Sequence, residues 1–142
     1  MAETIKVDIV SAEKSIYSGE AAMVFAPASQ GEVGIAPGHS ALLTKLGPGE
    51  VRLRLPDGKE DAYYVSGGIL EVQPYIITVL SDTALRAHDI DEAAALKAKE
   101  EAEKALHDKE SEIDYGAAQA ALAEAVAQIE TLRRMRNRAG RG

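Results

Sequence analysis

Cysteine and tryptophan are absent from this 142-residue chain, and aromatic residues are scarce, with five Tyr and one Phe. Without cysteine there is no disulfide framework, no thiolate metal site and no Cys nucleophile, so a reducing compartment is the default. No secretion leader is expected either, since Met1-Ala2-Glu3-Thr4-Ile5-Lys6 carries charge at Glu3 and Lys6 where an apolar stretch is required. The longest nearly uncharged stretches, such as residues 21–30, fall far short of the ~20 apolar residues of a membrane-spanning helix, so the chain is not expected to cross a membrane. Cationic excess is lacking too. With 16 Lys+Arg against 23 Asp+Glu the net charge is −7, which repels phosphate backbones and argues against general nucleic-acid binding.

Proline and glycine thin out abruptly near His88. All five prolines and nine of the twelve glycines precede it, whereas residues 89–139 hold one Gly and no Pro. The first region reads as turns and strands, the second as helix. Ile5, Val7 and Ile9 alternate with Lys6 and Asp8, and Val51, Leu53 and Leu55 alternate with Arg52 and Arg54, the period of half-buried strands. Further strands are predicted over 22–26, 33–35, 42–46, 62–65, 69–72 and 76–80. About eight short strands at close spacing predict a sandwich or barrel, with the clearest hairpin at Pro56-Asp57-Gly58.

In the second region, Asp89 followed three residues later by Glu92 forms an acidic capping box and predicts a helix start. Ala95, Ala98, Ala102, Ala105 and Ile113 fall on one stripe. Asp114 and Gly116 interrupt the pattern, and Ala118, Leu122, Ala125, Ile129 and Leu132 make a second stripe. Two helices in an antiparallel hairpin follow. A stripe of alanine allows close approach but buries few methylenes, at roughly 0.8 kcal/mol per CH₂. The hairpin is therefore expected to be weakly held and able to separate or extend.

A search for chemistry finds little. His39, His88 and His107 lack metal-site spacing. Ser66-Gly67-Gly68 and Gly31-Glu32-Val33-Gly34 match no phosphate-binding motif and read as bulges or tight turns. No catalytic residue, metal site or cofactor site is predicted. Charge, however, is segregated: residues 89–114 hold ten acids and four lysines, whereas residues 133–141 hold five arginines and no acid. The cationic end fits a solubilising tail favoured by the helix dipole, a nucleic-acid arm, or a segment whose guanidinium forks pair with carboxylates on another protein. A free-standing adaptor built from a sandwich and a helical hairpin also fits the composition, and a small hydrolase would need residues the chain does not supply.

The stretches Gly31-Glu32-Val33-Gly34-Ile35-Ala36-Pro37-Gly38-His39 with Leu42-Leu43, and Val65-Ser66-Gly67-Gly68-Ile69-Leu70-Glu71-Val72-Gln73-Pro74, closely resemble the epsilon-chain family of bacterial F-type ATP synthases. Val7-Asp8-Ile9-Val10-Ser11-Ala12-Glu13, Val79-Leu80-Ser81-Asp82-Thr83-Ala84 and Ile90-Asp91-Glu92-Ala93 fit the same family in the same order. The resemblance runs from about Lys6 to Leu132. It implies an α+β chain: an N-terminal antiparallel β-sandwich over residues 1–87, then an antiparallel two-helix hairpin over residues 88–142.

It further implies a non-catalytic part of the rotating central stalk of a proton-translocating complex. The chain would bind the gamma subunit and sit on the ring of c subunits, reaching the membrane only through the complex, on the cytoplasmic face of the bacterial cell membrane. Glu32 would contact the polar loops of the c ring, and His39 would lie near gamma. The helices would act as a brake on ATP hydrolysis, folded on the sandwich during turnover and extended into the alpha and beta subunits when blocking. There Arg133, Arg134, Arg136 and Arg138 would meet an acidic loop of beta. Some members bind ATP through an Ile/Leu-Asp-x-x-Arg pattern. Ile90 and Asp91 match it, but Ala94 stands in place of the arginine, and Lys97 one turn on is a poor substitute for a fork, so ATP binding is expected to be weak or absent.

Overall fold

The computed structural model describes residues 3–107 and 115–140, with side chains up to Arg138. Ten strands precede two helices. They are β1 (Ile5–Ser11), β2 (Ser15–Ala21), β3 (Met23–Ala28), β4 (Gly31–Ile35), β5 (Leu42–Leu46), β6 (Gly49–Arg54), β7 (Glu60–Val65), β8 (Gly68–Gln73), β9 (Ile76–Ser81) and β10 (Ala84–Arg86). The order is β10-β7-β6-β3-β5-β8-β9-β1-β2, with β4 also on β3. Strand β3 changes layers: Met23, Val24 and Phe25 pair with β6, whereas Ala28 pairs with Leu46 of β5. At the other end β10 comes back against β1 and β2, so the sheet folds over on itself as a sandwich.

The expected antiparallel pairing holds for every ladder but one. Strands β1 and β9 run parallel, with Val7 opposite Ile77 and Ile9 opposite Val79. A parallel pair needs a long crossover, and the seven intervening strands supply it. Alternation sends Val7, Ile9, Val24, Leu53, Tyr63, Leu70, Ile77 and Val79 inward to one closed core. All eight predicted strands form. The sequence reading missed β2 and β10.

Pro56-Asp57-Gly58 turns between β6 and β7 as expected, with Gly58 at φ +88° and its N–H donating to Leu55 O at 2.9 Å. Gly68 is required for space: at φ +138°, a Cβ there would lie 1.9 Å from Leu80 O.

Helix α1 spans Glu92–His107 and α2 spans Tyr115–Gly140. Its cap is Asp91, not Asp89. A 3₁₀ turn (Ala87–Asp89) and the extended, buried Ile90 (φ −72°, ψ 128°) delay the start. The Ala94 N–H then donates to Asp91 Oδ1 at 3.1 Å. The stripe on α1 is corrected as well: Ala95 and Ala102 are buried, but Ala98 faces solvent. Gly116 lies within α2 rather than breaking the helices apart, and Asp114 and Ile113 fall outside the described residues. On α2, Ala118, Ala125 and Leu132 are buried, with Leu122 and Ile129 half-buried.

Candidate functional site

Helix α2 lies on the outer face of β6 and β7 and on the 3₁₀ turn, and carries α1 on its other side. Strand alternation dictates what that face presents. With Val51 and Leu53 turned inward, Glu50, Arg52 and Arg54 point out, opposite Tyr64, Ala62 and Glu60 of β7. The apolar part of the seam is small: Tyr64, Ile90 and Leu132, flanked by Leu85, Ala127 and Met135. Thr131 is also covered, its hydroxyl satisfied by donating to Ala127 O at 2.8 Å.

Tyr64 is the exception to polar pairing. Its hydroxyl is buried and has no hydrogen-bond partner among the described residues. Gln128 approaches without closing a bond of good geometry, and burial pushes the phenol up to about 12. Such a group costs about 1–3 kcal/mol in desolvation.

The arginine end of α2 sits beside this seam. Arg138 forks onto Glu50, Nη2 to Oε2 at 3.0 Å and Nη1 to Oε1 at 3.4 Å, and its Nε is 3.9 Å from Glu60 Oε2. Arg134 Nη1 lies 3.9 Å from Glu50 Oε1. Arg52, stacked over Phe25 with its guanidinium carbon 4.4 Å from the ring centre, approaches Glu50 at 3.7 Å. The Glu50 side chain is only 2% exposed. Arg136 pairs with Glu92 at the start of α1, which holds that carboxyl below its ordinary range through the hydrogen bond it accepts. Arg133 donates to Glu130 at 2.6 Å on α2 itself. The four arginines thus meet the sandwich, α1 and their own helix.

Glu32, the second residue of β4, is half exposed and accepts from Arg52 at 3.2 Å. It lines an open cleft of about 560 Å³ with Glu50, Glu60, Arg134 and Arg138, so the structure brings Glu32 beside the arginine cluster. His39 lies elsewhere, in the β4–β5 loop, with Nδ1 2.7 Å from Ser40 O. Of the partial nucleotide pattern, Ile90 is a seam residue and Asp91 caps α1 through the Ala94 N–H.

A second surface lies on the opposite layer. Ile69 of β8, Leu80 of β9 and Val10 of β1 stand in one cross-strand row. Leu43 of β5, 70% exposed, lies diagonal to Ile69. This row borders a shallow cleft of about 320 Å³. No helix among the described residues is long and apolar enough to cross a membrane, and no group of His, Cys, Asp and Glu among them is arranged to hold a metal.

The family model for the ATP synthase delta/epsilon chain beta-sandwich domain matches residues 4–87, and that for the delta/epsilon chain long alpha-helix domain matches residues 88–138. The ATP synthase epsilon chain of Nitrosococcus oceani is 61% identical over 140 residues, covering 99% of this chain and 100% of the relative. That of Halorhodospira halophila is 58% identical over 140 residues, covering 97% and 99%. Among solved structures, a chain in the Euglena gracilis mitochondrial ATP synthase OSCP/F1/c-ring assembly shares the fold at TM-score 0.80 and 24% identity, covering 91% of this chain and 81% of that one. A chain of the Tetrahymena thermophila mitochondrial ATP synthase central stalk and c-ring does so at TM-score 0.58 and 13% identity, covering 92% and 97%.

Proposed function

The chain belongs to the ATP synthase delta/epsilon chain family, and from that premise we propose that it works as a non-catalytic subunit of the rotating central stalk. Residues 1–87 form the unit that grips the stalk, and residues 88–142 form a regulatory unit. The apolar row Val10, Ile69, Leu80 with Leu43 supplies the kind of face that a permanent partner covers, and gamma is the partner assigned to it, with His39 at its margin. Glu32, half exposed near the start of β4, is assigned to the polar loops of the c ring. Attachment to the membrane is peripheral, through the complex on its cytoplasmic side.

The helices act as a brake on hydrolysis, released when docked on the sandwich and applied when extended toward the alpha and beta subunits. The observation that carries this reading is the docking itself: α2 is held by a short apolar seam and a set of ion pairs, and the docked state bears the cost of one buried hydroxyl without a partner. The Arg136–Glu92 pair is open to solvent, and the buried Glu50 keeps Arg52 beside it when α2 leaves, so such an interface can open. The test is ATP hydrolysis by the reconstituted complex carrying either the full chain or one ending at Ala87. Faster hydrolysis with the shortened chain, with the complex still assembled, is expected. Equal rates would remove the regulatory role and leave the coupling role.

A further inference from the structure

Glu50 is a buried carboxylate near the start of β6, and three guanidinium groups converge on it. Arg52 comes from its own strand, while Arg134 and Arg138 reach it from a helix 84 or more residues further along. A buried carboxylate needs such partners, because an unpaired ion out of water is expensive. Glu60 adds a second carboxylate, 3.9 Å from Arg138 Nε and 3.8 Å from Arg54. Arg138 spends both terminal nitrogens on Glu50 and its Nε toward Glu60. With all three of its nitrogens turned to Glu50 and Glu60, Arg138 cannot at the same time pair with a carboxylate on another surface.

We propose that Glu50, seconded by Glu60, is an internal docking site for the α2 arginines that competes directly with any acidic surface the helix meets when extended. The sandwich thus imitates the acidic partner and holds the arginines out of its reach. Arg52, fixed over Phe25, positions Glu50 and keeps it compensated after α2 leaves, so the site is ready for recapture. This rests on reading the tail as the brake, but the docking site is measurable without that reading.

The absence of cysteine allows a clean pair of spin labels at Lys59→Cys and Gln119→Cys, both exposed and outside the arginine cluster. Pulsed electron resonance on the full chain then reads docked against undocked populations. Glu50→Gln should raise the undocked fraction about tenfold, and Glu60→Gln less. Arg138→Gln should match Glu50→Gln, and the double variant should add little to either. Should Glu50→Gln disturb the sandwich, Arg138→Gln on the helix end carries the test. Raising salt from about 0.05 to about 0.5 M should undock the parent and leave the double variant nearly unmoved.

An unchanged distance distribution in Glu50→Gln and Arg138→Gln, or fully additive effects, would overturn the docking site whatever hydrolysis does. Label separation in both variants supports the site. If hydrolysis by the complex then stays unchanged, the competition with an acidic partner is overturned along with the brake, and the internal docking site stands.

Discussion

Tyr64 shows how a single hydroxyl sets the balance of the docked interface. Ring burial favours docking, since the residue is 1% exposed at the centre of the seam, while the unpaired hydroxyl opposes it. Undocking returns that hydroxyl to water. Tyr64→Phe keeps the ring and deletes the opposing group, so it should stabilise the docked state by about 1 kcal/mol. The spin-label pair would report this as a smaller undocked fraction, and a larger fraction would mean that Gln128 is a true partner. The variant should also change the alkaline limb. A phenol pushed up to about 12 from 10.0 favours the docked form fully below pH 10.0, and that advantage declines as pH rises toward 12. Tyr64→Phe should lose this part of the decline, while Tyr63, also raised to about 12 inside the core, keeps its own.

The start of α1 is decided by what precedes it rather than by the nearest carboxylate. Asp89 sits in a 3₁₀ turn beside His88, 3.4 Å away, whereas Asp91 follows the extended Ile90 and accepts the N–H of Ala94. Asp91→Ala should therefore lower the stability of the helical hairpin by about 1 kcal/mol, and Asp89→Ala should stay within about 0.5 kcal/mol, both read from the helical signal on heating. Strands with an inward row of Val, Leu and Ile were legible because alternation reports a half-buried sheet directly. β2 was not: Ser15, Ser18 and Gly19 break its pattern, and as an edge strand it pairs only with β1. β10 has three residues and exists through its ladder to β7, which no local period can announce. The arginine end was legible as a run of charge. Its acceptor was not, because Glu50 occupies a position that alternation assigns to solvent, and the helix that covers it arrives 88 residues later at Arg138.

The chain as a whole separates its charges and then folds them together. Glu92 at the start of α1 and Glu50 and Glu60 on the sandwich surround an arginine end, and in the docked form Arg133, Arg134, Arg136 and Arg138 all have internal acceptors. Only Glu130 can travel with the arginines if α2 extends, because Glu50 and Glu60 stay with the sandwich and Glu92 stays with α1. Extension would therefore strip these arginines of internal carboxylates, and on the proposed reading external ones would replace them. A differential affinity of a few kcal/mol is enough to move such a population across its range. Replacing all four arginines with Ala removes their contribution to both states, so hydrolysis by the reconstituted complex reveals which state depends on them more. If the extended state is the braking one and needs the arginines to meet an acidic surface, hydrolysis should rise toward the rate with the chain ending at Ala87, even though docking is weakened as well. Suppression persisting at the level of the parent complex would show that the brake is applied by the body of the helices and that the arginines serve only to keep α2 on the sandwich.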